Sequence, residues 1–187
     1  MVDHLVARPG KGTIPISLVT ARGYKRWLKT QPKITQNWLS GLRLRGSAGE
    51  VATIPDRNGN LARAVLLHDA LTPWTFAGLA TKLPRGRYQF DGALTPAAAN
   101  DAALGWALAT RRFDRYKSSK RQPPSLVWPA ETDRDHVAAL FRAIVMGRDL
   151  ITTPAEDLGP AELVQAGLDL AARCGAKTKV IKGNKLI

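Results

Sequence analysis

The residue types best suited to catalysis or metal binding are scarce in this chain of 187 residues. It contains three histidines and one cysteine: His4, His68, His136 and Cys174. A zinc site of the H-E-x-x-H type needs two histidines on one helical face, and structural zinc sites need paired cysteines. The three scattered histidines and the single cysteine of this chain match neither type of site. We therefore predict no catalytic residue and no metal ligand in this chain, with the histidines at the surface or capping helices.

Three other features that could suggest chemistry have structural explanations. Asp133 and Asp135 fall in the first turn of a predicted helix, where carboxylates oppose the positive end of the helix dipole. Cys174 falls on the apolar stripe of the last predicted helix, so we expect it to be buried rather than to act as a nucleophile. The run G-K-G-T at residues 10–13 lacks the glycine order and the preceding strand of a phosphate-binding loop.

The charge of the chain is its most unusual property. Lys and Arg number 28 against 15 Asp and Glu, which gives a formal net charge of +13. The first of two basic clusters, here called the N-terminal basic cluster, comprises Arg22, Lys25, Arg26, Lys29, Lys33, Arg43 and Arg45. The second, the central basic cluster, is interleaved with Phe113 and Tyr116 and comprises Arg111, Arg112, Arg115, Lys117, Lys120 and Arg121.

Two interpretations of the central basic cluster stay open. Cations that neutralise phosphates release counterions, and aromatic rings can stack on bases, so the cluster is a candidate nucleic-acid contact. Alternatively, Arg111 and Arg112 complement the end of a helix while the other cations form a solvated face. Neither basic cluster matches a named nucleic-acid-binding module.

Composition and length indicate a globular protein of one domain, or of one domain and part of another. Hydrophobic residues make up 44% and charged residues 23% of the chain, as in ordinary globular proteins. One cysteine excludes a disulfide framework. No apolar run is long enough for a membrane span and no signal peptide is recognisable, so we expect a cytoplasmic protein without a membrane partner.

The first half of the chain reads as strands and short helices. Residues 13–20 form a β-branched apolar segment typical of a strand, and a helical stretch broken near Pro32 follows. Residues 51–55 and 61–67 flank Asn58-Gly59, a turn sequence that indicates a hairpin. A short helix opens at Thr72 and ends before residue 84.

The second half continues the alternation. Strands are predicted at residues 87–90 and 125–128, and Thr95 caps a helix that runs to residue 112. Thr132 is predicted to cap the next helix. A last helix from residue 159 stops at Gly175, and residues 179–181 are predicted as a closing strand. Alternating strands and helices predict an α/β fold with a mixed sheet flanked by helices.

Residues 148–163 carry a specific motif, R-D-L-I-T-T-P-A-E-D-L-G-P-A-E-L. It closely resembles the junction before the catalytic domain of the M17 leucyl aminopeptidases, typically R-D-L-I-N-T-P-A-N-D-M-G-P-A-E-L. It departs from that motif at Thr152 and Glu156, where the family usually has asparagine, and carries Leu158 in place of the methionine. Residues 86–92 (G-R-Y-Q-F-D-G), 104–108 (L-G-W-A-L) and 112–116 (R-F-D-R-Y) resemble the amino-terminal domain of the shorter bacterial branch of that family. The resemblance extends over nearly the whole chain.

The resemblance implies a fold, a division into domains and a role. The fold would be a macro-domain-like amino-terminal domain at residues 1–130, a linker helix at 131–151, and at 152–187 a helix and strand that begin a truncated catalytic domain. The full-length family enzyme is a cytosolic hexamer that removes N-terminal amino acids from peptides with two divalent metal ions, Mn or Zn. Its metal-binding motifs have no counterpart here, so this chain would be the non-catalytic portion, with its own catalytic domain and other copies of itself as partners. The alternative is a basic nucleic-acid-binding module.

Overall fold

The computed structural model describes residue 2, residues 4–117 and residues 122–186. Contacts within the chain divide it into two compact units, Met1–Arg142 and Ala143–Ile187. The division falls inside a helix that contributes to both units. In the described part of the chain, no helix is both long and apolar enough to cross a bilayer.

Strands and helices alternate through the first unit. Its elements are β1 (Leu5–Val6), β2 (Ile14–Thr20), α1 (Tyr24–Thr30), α2 (Lys33–Gly41), β3 (Val51–Pro55), β4 (Leu61–His68), α3 (Pro73–Lys82), β5 (Arg87–Phe90), α4 (Pro96–Thr110), β6 (Ser125–Val127) and the start of α5 (Arg134–Thr152). The second unit contains the end of α5, then α6 (Pro160–Cys174) and a 3₁₀ turn (Gly183–Leu186).

The six strands form one mixed sheet in the order β1-β6-β5-β2-β4-β3. β2 lies in the interior and pairs in parallel with both β4 and β5. β3 is antiparallel to β4 and forms one edge of the sheet. This arrangement confirms the predicted α/β fold with a mixed sheet.

Two apolar clusters lie on opposite faces of the sheet, and β4 contributes to both. Ala64 and Leu66 pack with residues of α3 and α4, whereas Val65 and Leu67 pack with residues of α1 and α2. Successive side chains of a strand point to opposite faces, so a strand covered on both sides must be apolar without interruption. All four residues are buried, as that rule requires.

The local signals for turns and helix starts are confirmed at three places. β3 and β4 form the predicted hairpin, whose turn is closed by the Asp56 carboxylate accepting from the backbone N–H groups of Asn58 and Asn60 at 2.8 and 2.9 Å. Gly59 in this turn has φ of +84°, which favours glycine. The hydroxyls of Thr72 and Thr95 cap α3 and α4, each followed by a proline in the first turn.

The prediction that Thr132 caps α5 is wrong. The Asp133 carboxylate accepts from the backbone N–H of His136 at 3.0 Å and therefore occupies the capping position. The hydroxyl of Thr132 instead donates to the backbone carbonyl of Ala99 in α4, 3.4 Å away. The helix therefore begins one residue later than the sequence predicted, and Thr132 contacts α4 instead.

The second unit corrects two further predictions. No strand forms at residues 179–181, because a strand needs a neighbouring backbone and none pairs with this segment in the described part of the chain. Cys174 is exposed rather than buried. The helix end is as predicted, since Gly175 adopts the left-handed conformation with φ of +66°.

Strand β1 was not predicted, because two residues carry no periodicity. Leu5 and Val6 pair in parallel with Leu126 and Val127 at the edge opposite β3. Such a short strand forms only where a neighbour supplies its hydrogen bonds.

Helix α4 lies at the centre of the packing, with ten of its fifteen residues buried. The indole N–H of Trp106 donates to the carbonyl of Pro124 at 3.1 Å, and its ring lies 5.9 Å from that of Tyr88. Burial raises the pKa of Tyr88 to about 12, and its hydroxyl donates to the carbonyl of Pro84 at 3.0 Å. A Cβ on Gly105 would lie 2.1 Å from the Pro73 carbonyl oxygen, so α3 approaches α4 where this side chain is missing.

We expect Gly105→Ala to destabilise the first unit, because the added methyl meets backbone that cannot move aside without shifting α3. Overpacking of this kind costs about 1–3 kcal/mol. Gly78→Ala, inside α3, is the matched control: nothing lies within 4 Å of its Cβ, and the alanine should stabilise the helix by about 0.5–1 kcal/mol. Urea unfolding measures the free energy of unfolding of both variants. If Gly105→Ala is no less stable than Gly78→Ala, α3 and α4 can move apart to make room for the added methyl group.

His68, the last residue of β4, is a half-buried titratable group. Its Nδ1 atom is buried with no hydrogen-bond partner in the described structure. Burial lowers the pKa of His68 below its usual value, and the Asp69 carboxylate opposes the shift. The folded chain therefore binds a proton at this imidazole less readily than the unfolded chain does.

It follows that the free energy of unfolding should fall as the pH drops below about 6.5, where His68 of the unfolded chain takes up a proton. His68→Asn should remove this part of the pH dependence, whereas His136→Asn, at an exposed position, should leave it intact. Urea midpoints across about pH 5–8 test the expectation. An unchanged profile in His68→Asn would show that another group is responsible.

Candidate functional site

The residues considered for catalysis are not brought together by the fold. His4 precedes β1, His68 ends β4, His136 lies in the first turn of α5 and Cys174 ends α6. Across residues 4–117 and 122–186, no three His, Cys, Asp or Glu side chains are grouped so that they could hold a metal ion. A two-metal centre therefore does not fit the described residues.

The turn at residues 10–13 also differs from a phosphate-binding loop. The hydroxyl of Thr13 accepts from the backbone N–H of Gly10 and donates to its carbonyl, both at 2.8 Å. This tight turn leads into β2, whereas a phosphate-binding loop leads into a helix whose N-terminus faces the phosphate.

A crevice of about 200 Å³ lies where β5 and β6 end. Open α/β sheets bind ligands outside the carboxyl ends of their parallel strands, so this is the place where the fold favours a small-molecule site. Its walls include Phe90, Leu94 and Trp128, and the guanidinium of Arg134 lies 5.3 Å from the centre of the Trp128 ring. Glu131 is the one lining side chain with a carboxylate, so the crevice lacks a pair of groups for acid–base catalysis.

The central basic cluster follows the end of α4. Arg111 and Arg112 are half-buried, whereas Arg115 and Lys117 are exposed. Lys120 and Arg121 lie outside the described residues. The four described cations therefore differ in accessibility, and two of them are exposed.

The aromatic residues of this cluster already contact its arginines. The guanidinium of Arg111 lies 5.7 Å from the centre of the Phe113 ring, and that of Arg115 lies 5.5 Å from the centre of the Tyr116 ring. The two rings are 5.8 Å apart and tilted by 51°. The segment is thus folded on itself through cation–π contacts, and Tyr116 stays exposed between two cations.

The N-terminal basic cluster lies on and beside α1 and α2, with all seven cations exposed. Glu50, the first carboxylate after this cluster, is bonded to its own loop. Its oxygens accept from the backbone N–H groups of Arg45, Gly46 and Ser47 at 3.0, 2.9 and 3.1 Å. Burial would raise the pKa of Glu50, but these donors lower it below its usual value. The carboxylate therefore holds the loop before β3 together.

A groove between α2 and β3 is the surface that sequence reasoning missed. Its volume is about 370 Å³, and its walls include Ile34, Trp38 and Ile54. The signal was present in the sequence, since Ile34, Trp38 and Leu42 recur at intervals of four residues. That spacing also describes a buried helical face, and only the structure shows that these side chains are exposed.

Comparison with known proteins assigns the chain to a family. The sequence model described as "M17 aminopeptidase, N-terminal domain" matches residues 14–129. The crystal structure of a cytosol aminopeptidase from Coxiella burnetii is similar over 98% of this chain, with 33% identity and a TM-score of 0.85. No curated protein sequence matches the chain.

Two structures of a bottromycin maturation enzyme, BotP, share the fold. The one in complex with Mn has 22% identity, a TM-score of 0.64 and covers 94% of this chain, and the other has 22% identity, a TM-score of 0.60 and covers 93%. The chain spans 41% of the Coxiella protein and 39% and 40% of the two BotP chains. The chain belongs to the M17 aminopeptidase family, and residues 14–129 are its N-terminal domain.

Proposed function

We propose that this chain is the non-catalytic part of a cytosolic, hexameric aminopeptidase that removes N-terminal amino acids from peptides. The observation that carries the proposal is the match of residues 14–129 to the M17 N-terminal domain, together with the similarity to a cytosol aminopeptidase along 98% of the chain. The proposed partners are a catalytic domain and other copies of the same protein.

In this proposal the two divalent ions, Mn or Zn, are held by the catalytic domain. The described residues offer no group of side chains fit to bind them. Two-metal peptidase chemistry needs carboxylate ligands converging on ions about 4 Å apart, which would activate a water for attack on the peptide bond. The N-terminal domain would then contribute to assembly and to access rather than to the chemistry.

The exposed apolar residues of helix α6 support the proposal that the second unit has a partner. None of its residues is buried, and Leu163, Val164 and Leu170 are exposed along it. Burying one such side chain contributes about 1.5–3 kcal/mol, so a covering surface would stabilise the helix substantially. We propose that the catalytic domain supplies this cover and that residues 152–187 begin that domain.

The chain by itself should not hydrolyse leucine amides in the presence of Mn²⁺ or Zn²⁺, because it lacks a cluster of metal ligands among its described residues. A fusion of this chain to the remaining part of the Coxiella aminopeptidase should hydrolyse them in a metal-dependent way. The same fusion treated with a chelator is the control. Metal-dependent turnover that co-purifies with the unfused chain would contradict the proposal.

The alternative function, nucleic-acid binding, rests on the exposed Tyr116 between Arg115 and Lys117. If these groups contact duplex DNA, log affinity should fall with log salt at a slope of about −0.9 per phosphate neutralised. Arg115→Glu with Lys117→Glu should then weaken retention and flatten the slope. Lys177→Glu with Lys179→Glu changes the charge equally at exposed positions of the second unit and is the control. Equal loss in both double variants would indicate nonspecific attraction to the net charge.

A further inference from the structure

Helix α2 carries a row of exposed apolar side chains. Ile34 is 68% exposed, and Trp38 and Leu42 are each 44% exposed. Residues four apart lie on one side of a helix, so the three form a continuous stripe, while Leu39 on another side is fully buried. Single exposed apolar residues are ordinary, but a contiguous row marks a surface that contacts something.

The stripe forms part of a preformed groove. Ile34 and Trp38 line it from α2, and Ile54, Pro55 and Asp56 line it from β3 and the turn after it, enclosing about 370 Å³. The indole N–H of Trp38 donates to the carbonyl of Thr53 at 2.8 Å, which ties the ring to the edge strand. A rigid aromatic side chain beside a cavity is the usual composition of an anchor site.

The same contacts disfavour an added β-strand at this edge. The carbonyl of Thr53 is already occupied by Trp38, and Pro55 has no N–H to donate. Strand addition depends on a row of available backbone donors and acceptors. A ligand of this groove would therefore bind through its side chains.

The chain segment that contains α2 is strongly positive. Residues 22–49 contain the seven cations of the N-terminal basic cluster and no carboxylate. Lys33 directly precedes the apolar stripe and Arg43 directly follows it, and both are exposed. Lys33 stands in the first turn of α2, where a cation opposes the helix dipole at a cost of about 0.3–1 kcal/mol.

The two nearest carboxylates along the chain, those of Glu50 and Asp56, offset part of this charge and are bonded within their own turns. Glu50 is bonded to three backbone N–H groups of its own loop. Asp56, at the end of the groove, accepts from Asn58 and Asn60 within the hairpin turn, and these bonds lower its pKa. Thr35 and Asn37 add uncharged polar groups to the groove, and Asp56 is the one charged side chain among its lining residues. Residues 22–56 carry seven cations against these two carboxylates, so the segment keeps a positive net charge.

We propose that the groove between α2 and β3 is a docking site for an acidic segment of a partner protein, which places apolar side chains against Trp38 and carboxylates near Lys33 and Arg43. This goes beyond the aminopeptidase assignment, which covers α2 and β3 but assigns no partner to the groove between them. Apolar anchors provide the affinity, and the surrounding cations select partners by charge and speed their association.

Two other occupants fit the observations less well. An anionic membrane needs apolar side chains that protrude into lipid, whereas Trp38 is tied to β3 beside a concave surface. A second copy docking symmetrically through this face would bring two sets of seven cations together. Complementary charge therefore favours an acidic polypeptide.

The test selects peptides from a library of random dodecapeptides displayed on phage, using the whole chain as bait. We expect the enriched peptides to combine Asp or Glu with large apolar residues. A fluorescent copy of the most enriched peptide should bind to the Ile34→Asp variant at least about tenfold more weakly than to the unmodified chain. Its affinity for the unmodified chain should fall as the salt concentration is raised. Lys33→Glu with Arg43→Glu should also weaken binding, because it reverses the charge at both ends of the stripe.

Trp74→Ala is the matched control, because Trp74 is 71% exposed on α3 and lies outside the groove. Its affinity for the peptide should equal that of the unmodified chain, and circular dichroism should show that every variant is folded. The proposal is overturned if selection on the unmodified chain enriches no peptide beyond those enriched on the Ile34→Asp variant. It is also overturned if the enriched peptides lack acidic residues. It is also overturned if Ile34→Asp abolishes binding to anionic vesicles or self-association of the chain while leaving peptide binding unchanged.

Discussion

The burial of helix α4 is the constraint on which the rest of the first unit depends. A helix that is apolar on nearly every side must be covered on every side, and here the sheet and α3 provide much of that cover. The absence of a side chain at Gly105 allows α3 to approach closely. Because β5 leads into α4 and β6 follows it, the position of this helix also sets both strands and the crevice where they end.

The net charge of the chain is divided unevenly between the two units. The first unit contains 22 Lys and Arg against 10 Asp and Glu, so it carries almost the whole net charge of the chain. Several carboxylates are engaged in local structure: Glu50 and Asp56 close turns, and Asp133 caps a helix. These three carboxylates serve the fold, and the excess of cations makes the field that a partner meets positive.

The first unit contains the N-terminal domain of an M17 aminopeptidase. The M17 match covers residues 14–129, and the described residues show no cluster fit for metal. The described surface carries an apolar stripe on α2, an exposed amphipathic α6 and two basic clusters.

Sequence alone determined what depends on neighbouring residues. The Asn58-Gly59 hairpin, the caps at Thr72 and Thr95 and the Gly175 stop are set within a few residues, and the β-branched run of β2 needs only its own pattern. The tertiary structure decided whatever needs a distant partner. It set the pairing of β1 with β6, the contact of Thr132 with Ala99, the absence of a strand at 179–181 and the exposure of Ile34 and Trp38. The physical reason is that a short-range pattern specifies which faces are apolar, whereas hydrogen bonds and packing between elements decide which of those faces are covered.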